Sequence, residues 1–168
     1  MTVSWIHARR SIRKYTGEPV GEAAVRELLE AAMAAPSAGN QQPWHFVVVR
    51  ERALLDAVPS FHPHAKMAEQ APVGILVCGD PTLEKHVDMW VQDCAAATEN
   101  LLLAAAATGL GAVWCGVYPR QERVDGFRRL LGIPDHVIPF AFVPVGHPAE
   151  EKPPAQRYDP ERVHVERW

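Results

Sequence analysis

The stretch Ala35-Pro36-Ser37-Ala38-Gly39-Asn40-Gln41-Gln42-Pro43-Trp44-His45-Phe46 (APSAGNQQPWHF) joins two segments of different periodicity. Before it, Glu22 to Ala35 carries Val25, Leu28, Leu29, Ala32 and Met33 at the spacing of one helical face, and Pro36 stops that helix. After it, Phe46 to Val49 is short and β-branched, the mark of a strand. The junction is rich in hydrogen-bonding side chains and poor in charge. That combination asks for a partner other than water.

Working outward, Val73 to Cys78 (VGILVC) is a second strand, near-continuously apolar and therefore central. Leu54 to Val58 and His64 to Gln70 read as short helices between the two strands. Leu83 to Thr108 reads as one long helix, apolar around most of its circumference, with Gly109 ending it. Its many alanines allow close backbone approach, which suits the centre of the domain or a subunit interface. Val113 to Val117 is predicted as a third strand, Gln121 to Leu131 as a helix and Val137 to Val145 as a fourth strand, with a short helix over Thr2 to Arg9 at the start. In the Pro-rich tail, Val163 and Val165 alternate as in an edge strand. The order predicts one domain over residues 1–168, of α+β class, a three-layer α/β/α sandwich. A parallel, doubly wound sheet is also open on pattern alone.

The chain has 168 residues, 48% of them hydrophobic, enough for one sizeable core. Its formal charge of -3 is spread along the chain, which does not suit a nucleic-acid binder. Cys78, Cys94 and Cys115 are odd in number, with no C-x-x-C, against a disulfide framework or a structural zinc. In MTVSWIHARR the basic residues follow the apolar stretch, the reverse of a signal peptide. Acidic and amide residues interrupt His86 to Gly109, so it falls short of a membrane span. A reducing cytoplasm is the expected location.

Against that acidic balance, Arg9-Arg10-Ser11-Ile12-Arg13-Lys14 sets four cations and a hydroxyl within six residues. Guanidinium forks and a serine hydroxyl suit a phosphate; the plain alternative is a solvated basic surface. Gly109-Leu110-Gly111 follows a helix and precedes a strand, with Trp114 where a third glycine should stand, so the dinucleotide fingerprint fails. His62-Pro63-His64 lacks further residues at ligand spacing, so no metal is expected. His7 and His45 read as packed or exposed histidines, and Cys115 as a buried small hydrophobe without a thiolate-stabilising partner. A phosphate-binding candidate, an amide-rich loop and a glycine-flanked tryptophan, with no acid/base or nucleophile set, favour chemistry carried by an organic cofactor.

Three blocks carry a resemblance: Arg9-Arg10-Ser11-Ile12-Arg13-Lys14-Tyr15, the opening stretch Ala35 to Phe46, and Asp93-Cys94-Ala95-Ala96-Ala97-Thr98-Glu99-Asn100 leading into Gly109-Leu110-Gly111. With the closing Pro144-Val145-Gly146-His147-Pro148 they span essentially the whole chain, in an order that resembles the FMN-dependent nitroreductase family. The resemblance implies a homodimer with two FMN molecules at the subunit interface, and a tail that wraps the partner. It implies that Arg9, Arg10, Ser11 and Arg13 hold the FMN phosphate and ribityl chain. Pro36, Ser37, Ala38 and Asn40 then form the loop that reaches the flavin from the partner subunit. Trp114, Cys115 and Gly116 supply the backbone N–H that faces flavin N5, and Arg157 closes over the phosphate. Lys66 matches the lysine that some members place near the pyrimidine edge.

The residues of the junction agree with such a cradle. An oxidised isoalloxazine is flat and uncharged with a polar edge, which the amides of Asn40 and Gln42 complement without burying a charge. Small residues at Ser37, Ala38 and Gly39 permit close backbone approach. The expected function is an oxidoreductase working by a ping-pong cycle: NADH or NADPH reduces the flavin and leaves, and a flat small-molecule acceptor such as a nitroaromatic or quinone takes its place. Rival readings are a specialised flavin reaction, reductive dehalogenation or flavin fragmentation, and a flavin-binding protein without turnover.

Overall fold

A computed structural model describes residues 4–153 and 155–168. Five strands, all paired antiparallel, form one sheet: β1 (Trp44–Val49), β2 (Val73–Gly79), β3 (Gly111–Ala112), β4 (Cys115–Gly116) and β5 (Ile138–Gly146), with spatial order β1-β2-β5-β3 and β4 also on β5. The parallel doubly wound alternative is therefore excluded.

Every residue of β2 is buried, as its unbroken apolar run predicts, because both faces are covered. Val73, Ile75 and Val77 face a cluster with Val25, Leu28 and Leu101 of helices α2 (Glu22–Met33) and α4 (Trp90–Ala107). Leu76 and Cys78 face the opposite cluster with Leu55 of α3 (Arg52–Ala57) and Val124 and Phe127 of α5 (Gln121–Leu131). The period-two alternation of a strand thus divides the core into two halves, and the three-layer α/β/α arrangement follows.

Several expected boundaries shift. The N-terminal helix α1 covers Ser4–Ala8; the expectation for Thr2 and Val3 falls outside the described residues. The long helix begins at Trp90 rather than Leu83, because the Glu84 carboxylate folds over its start: Trp90 N donates to Glu84 Oε1 at 2.7 Å and Asp88 N to Oε2 at 3.2 Å. Pro81–Leu83 forms a separate 3₁₀ turn capped by Asp80, whose Oδ1 accepts from Thr82 N at 2.9 Å. His64 to Gln70 is 3₁₀ turn rather than α-helix, over Pro63–Glu69.

The third strand, expected over Val113 to Val117, is two short pieces, β3 and β4, that keep one register against β5. That register sets Val113 opposite Pro144, which has no N–H to give the ladder, and the Pro144 carbonyl instead accepts from the Tyr15 hydroxyl at 3.1 Å. The tail holds no strand at Val163 and Val165; both are exposed, beyond a 3₁₀ turn at Pro160–Arg162, and the alternation there reflects no sheet contact.

Residues 147–153 lie along the basic block. Thr16 N donates to His147 O at 3.0 Å, Ala149 N to Lys14 O at 2.9 Å, and Arg10 Nε to Pro153 O at 2.7 Å. On its other side the block is tied to β3, where Ile12 N donates to Ala112 O at 3.0 Å. The four-cation segment is thus a ribbon between sheet and tail.

Candidate functional site

The ribbon and β4 form one wall of a cleft of about 370 Å³, lined by Arg13, Lys66, Trp114, Cys115 and Gly116 of the predicted site, together with His62, His64 and Arg123. Its lining holds three permanent cations and no carboxylate. Such a cavity favours an anionic or electron-accepting occupant. Gly116 leaves the wall open, since a Cβ there would meet nothing within 4 Å.

Under that wall the backbone is held from behind. The Gly116 carbonyl accepts from Arg123 Nη1 at 2.7 Å and pairs with His62 Nε2 at 3.0 Å. A carbonyl only accepts, so Nε2 carries a proton, and in the neutral ring Nδ1 is then the bare nitrogen. Burial, and then the nearby Arg123 guanidinium, holds His62 below the ordinary histidine range. Cys115 is buried with its Sγ 3.7 Å from Met67 Sδ, and burial pushes the thiol up to about 11. It is a packed residue, as the sequence suggests, and no nucleophile.

The remaining predicted residues fall elsewhere. Arg9, Arg10 and Arg157 line a second cavity of about 180 Å³ with Ile6, His7 and Tyr158. Two of these arginines already have partners: Arg9 Nε lies 3.3 Å from Glu99 Oε1, and Arg10 donates to the carbonyls of His7 at 2.7 Å, Arg9 at 2.6 Å and Pro153. Arg10 is thus a staple of the ribbon. Ser11 gives its carbonyl to Lys152 Nζ, and the Arg13 N–H donates to Glu150, whose carboxyl that bond, ahead of Lys152, holds below the usual range.

The junction loop, with Pro36, Ser37, Ala38, Asn40 and Gln42, lines neither cavity. It is a 3₁₀ turn over Ala38–Asn40 in which Gly39, Asn40 and Gln42 all have positive φ. Glycine suits position 39: at its positive φ a Cβ would come 2.5 Å from His86 Nε2, and that ring would have to move. The buried amide is Gln41, not Asn40 or Gln42, which are exposed. Gln41 Nε2 donates to Asp93 Oδ2 at 2.7 Å and its Oε1 accepts from Lys85 N at 2.9 Å and His86 N at 3.0 Å, while Ala38 N donates to Asp93 Oδ1 at 2.9 Å. Asp93, buried in α4, therefore fixes the loop from below. His45 sits apart, its Nε2 3.4 Å from the buried Asp80 carboxylate.

Sequence reasoning missed His62, Arg123, Glu150, Lys152, Gln41 and Asp93 as parts of the site. Asp93 opens the third quoted block and His62 stands in His-Pro-His, so both lay in marked segments. Arg123 carries no local signal.

An antiparallel α/β/α sandwich with a cationic cleft beside its central strands defines the class of protein. The chain belongs to the nitroreductase family, whose model matches residues 6–147. A Methanothermobacter thermautotrophicus protein that carries the provisional name NADH dehydrogenase/NAD(P)H nitroreductase is 52% identical over 97% of this chain and 85% of its own. A Thermus thermophilus protein named NADH dehydrogenase is 37% identical over 92% and 90% of the two chains. Among solved structures, a Desulfovibrio desulfuricans protein provisionally called a nitroreductase and crystallised with FMN superposes with a TM-score of 0.85 at 34% identity, covering 99% of this chain and 96% of that one.

Proposed function

We propose that this protein is an FMN-dependent NAD(P)H oxidoreductase that reduces flat acceptors, nitroaromatics and quinones, as a homodimer in which the subunits share each flavin. The observation that carries the reading is the cleft against Trp114, Cys115 and Gly116, ringed by Arg13, Lys66 and Arg123 without a carboxylate. Relatives bearing nitroreductase and NADH dehydrogenase names, and an FMN-bound neighbour, support it.

The residues fit the cofactor. Three cations suit a group that gains negative charge on reduction, and the open face of Gly116 admits a flat ring against backbone. FMN bound here supplies a two-electron relay, so that NAD(P)H and the acceptor react in turn rather than together. For a quinone the balance is NAD(P)H, one proton and quinone giving NAD(P)⁺ and hydroquinone. Arg13 and Lys66 would hold the electron-rich edge, while Arg9, Arg10 and Arg157, which line the second cavity, would receive the phosphate with Ser11, next in the chain to Arg10. The loop from Pro36 to Gln42, which does not line its own chain's cleft, would serve the cleft of the partner.

The visible spectrum of the purified protein, before and after anaerobic NADH or NADPH, tests this. Flavin bands that bleach support it; a colourless protein that neither binds added FMN nor bleaches overturns it. Arg13→Ala should weaken FMN binding by about ten- to a hundredfold, the worth of one charge-assisted hydrogen bond.

A further inference from the structure

The wall behind the cleft poses a question that the cofactor alone does not answer. Gly116 is the most pliant residue of the Trp114–Gly116 segment, and no side chain of its own restrains it. Its carbonyl nevertheless takes two donors, Arg123 Nη1 at 2.7 Å and His62 Nε2 at 3.0 Å. The same peptide unit is tied at its other end, where Val117 N donates to Phe140 O at 3.0 Å. With that plane anchored on both sides, the freedom left to Gly116 is small.

His62 is an expensive choice if its purpose is only to fill space. It is 1% exposed, and its Nδ1 is buried with no hydrogen-bond partner among the described residues, as is Arg123 Nε. A polar ring buried with half of its hydrogen-bonding capacity unused costs stability that an apolar side chain would not. The bond to Gly116 is what the ring contributes. His62 comes from the 3₁₀ region before β2 and Arg123 from α5, so two separate elements converge on one carbonyl.

We infer that His62 and Arg123 are positioning residues: together they clamp the Gly116 carbonyl, fix the attitude of the Trp114–Gly116 backbone toward the cleft, and thereby set the electron affinity of FMN held there. The inference rests on the flavin reading above. Two donors on one carbonyl, one of them cationic, polarise the peptide unit, so losing either donor changes both the orientation and the dipole that the backbone presents.

The test uses the FMN-loaded protein and two polar variants of one position. His62→Gln returns an amide N–H near the place of Nε2, whereas His62→Asn places one near Nδ1 and leaves the carbonyl short of a donor. His62→Asn and Arg123→Met should each change the ratio of affinities for reduced and oxidised FMN about tenfold, read as a midpoint-potential shift of about 30 mV for two electrons. His62→Gln should keep most of the wild-type value. Equal shifts in the Gln and Asn variants would mean packing rather than a clamp, and no shift in folded Asn and Met variants would overturn the inference outright. Should His62→Asn not fold, the contrast between Arg123→Met and Arg123→Gln, which restores a donor without the charge, decides in the same way. A wild type that retains no FMN would instead sink the flavin reading, and this one with it.

Discussion

At the scale of single residues, the buried polar groups respond to pH and reagents in calculable directions. Burial and Arg123 lower the pKa of His62 in the folded chain, so as pH falls the unfolded chain takes up its proton first. The associated stability is complete above the unfolded value, about 6.5, and is lost as pH drops from there through the folded value. Melting temperatures measured between pH 7.5 and 5 in steps should therefore fall more for wild type than for His62→Gln. Parallel curves would mean that His62 titrates alike in the folded and the unfolded chain. The thiols give a second prediction. Cys78, Cys94 and Cys115 are all buried, and burial pushes Cys78 up to about 12 and Cys115 to about 11. Native protein at pH 8 should react with essentially no disulfide reagent, and denatured protein with three equivalents.

Among elements, the junction loop depends on α4 more than on its own sequence. Asp93→Ala would leave Gln41 Nε2 and Ala38 N without their acceptor, and should destabilise the protein by about 1–3 kcal/mol in urea titration. Asp93→Asn, which keeps one acceptor oxygen, should lose less. This is also where the legibility of the sequence divides. The helix over Glu22–Met33 and the buried strand Val73–Gly79 were readable because a period of 3.6 and an unbroken apolar run each imply one burial pattern. The start of α4 was not, since it turns on the Glu84 side chain bonding forward to Trp90, which no periodicity records. Nor was the break between β3 and β4, because it depends on Pro144 lying opposite Val113 in a partner strand. For the site, Arg13 stood in the quoted basic block, whereas Lys66 and Trp114 to Gly116 were marked only by the family resemblance; the structure lines one cleft with all of them. Which amide points inward was not. Gln41 and Gln42 are neighbours of one type, and only the positive φ of Gln42 and the carboxylate beneath Gln41 separate them.

On the scale of the whole molecule, an apolar groove is left uncovered. Trp5, Ala31, Ala34, Leu103, Ala104 and Ala107 line a groove of about 570 Å³ on the outer side of α1, α2 and α4. Under the homodimer reading a second copy lies there, and sedimentation should give twice the chain mass. Ala104→Arg should shift the protein to monomer and, because each flavin would need two chains, lower FMN retention as well; a monomeric wild type would refute the arrangement. The sheet has a consequence of another kind. Its hub, β5, pairs with β2, β3 and β4, yet occupies only residues 138–146 of the chain. During synthesis residues 138–146 must therefore emerge before β2, β3 and β4 can make their pairings with β5. Until then the apolar run of β2 has only β1 beside it in the sheet, so the nascent chain is expected to lean on chaperones through most of its own translation.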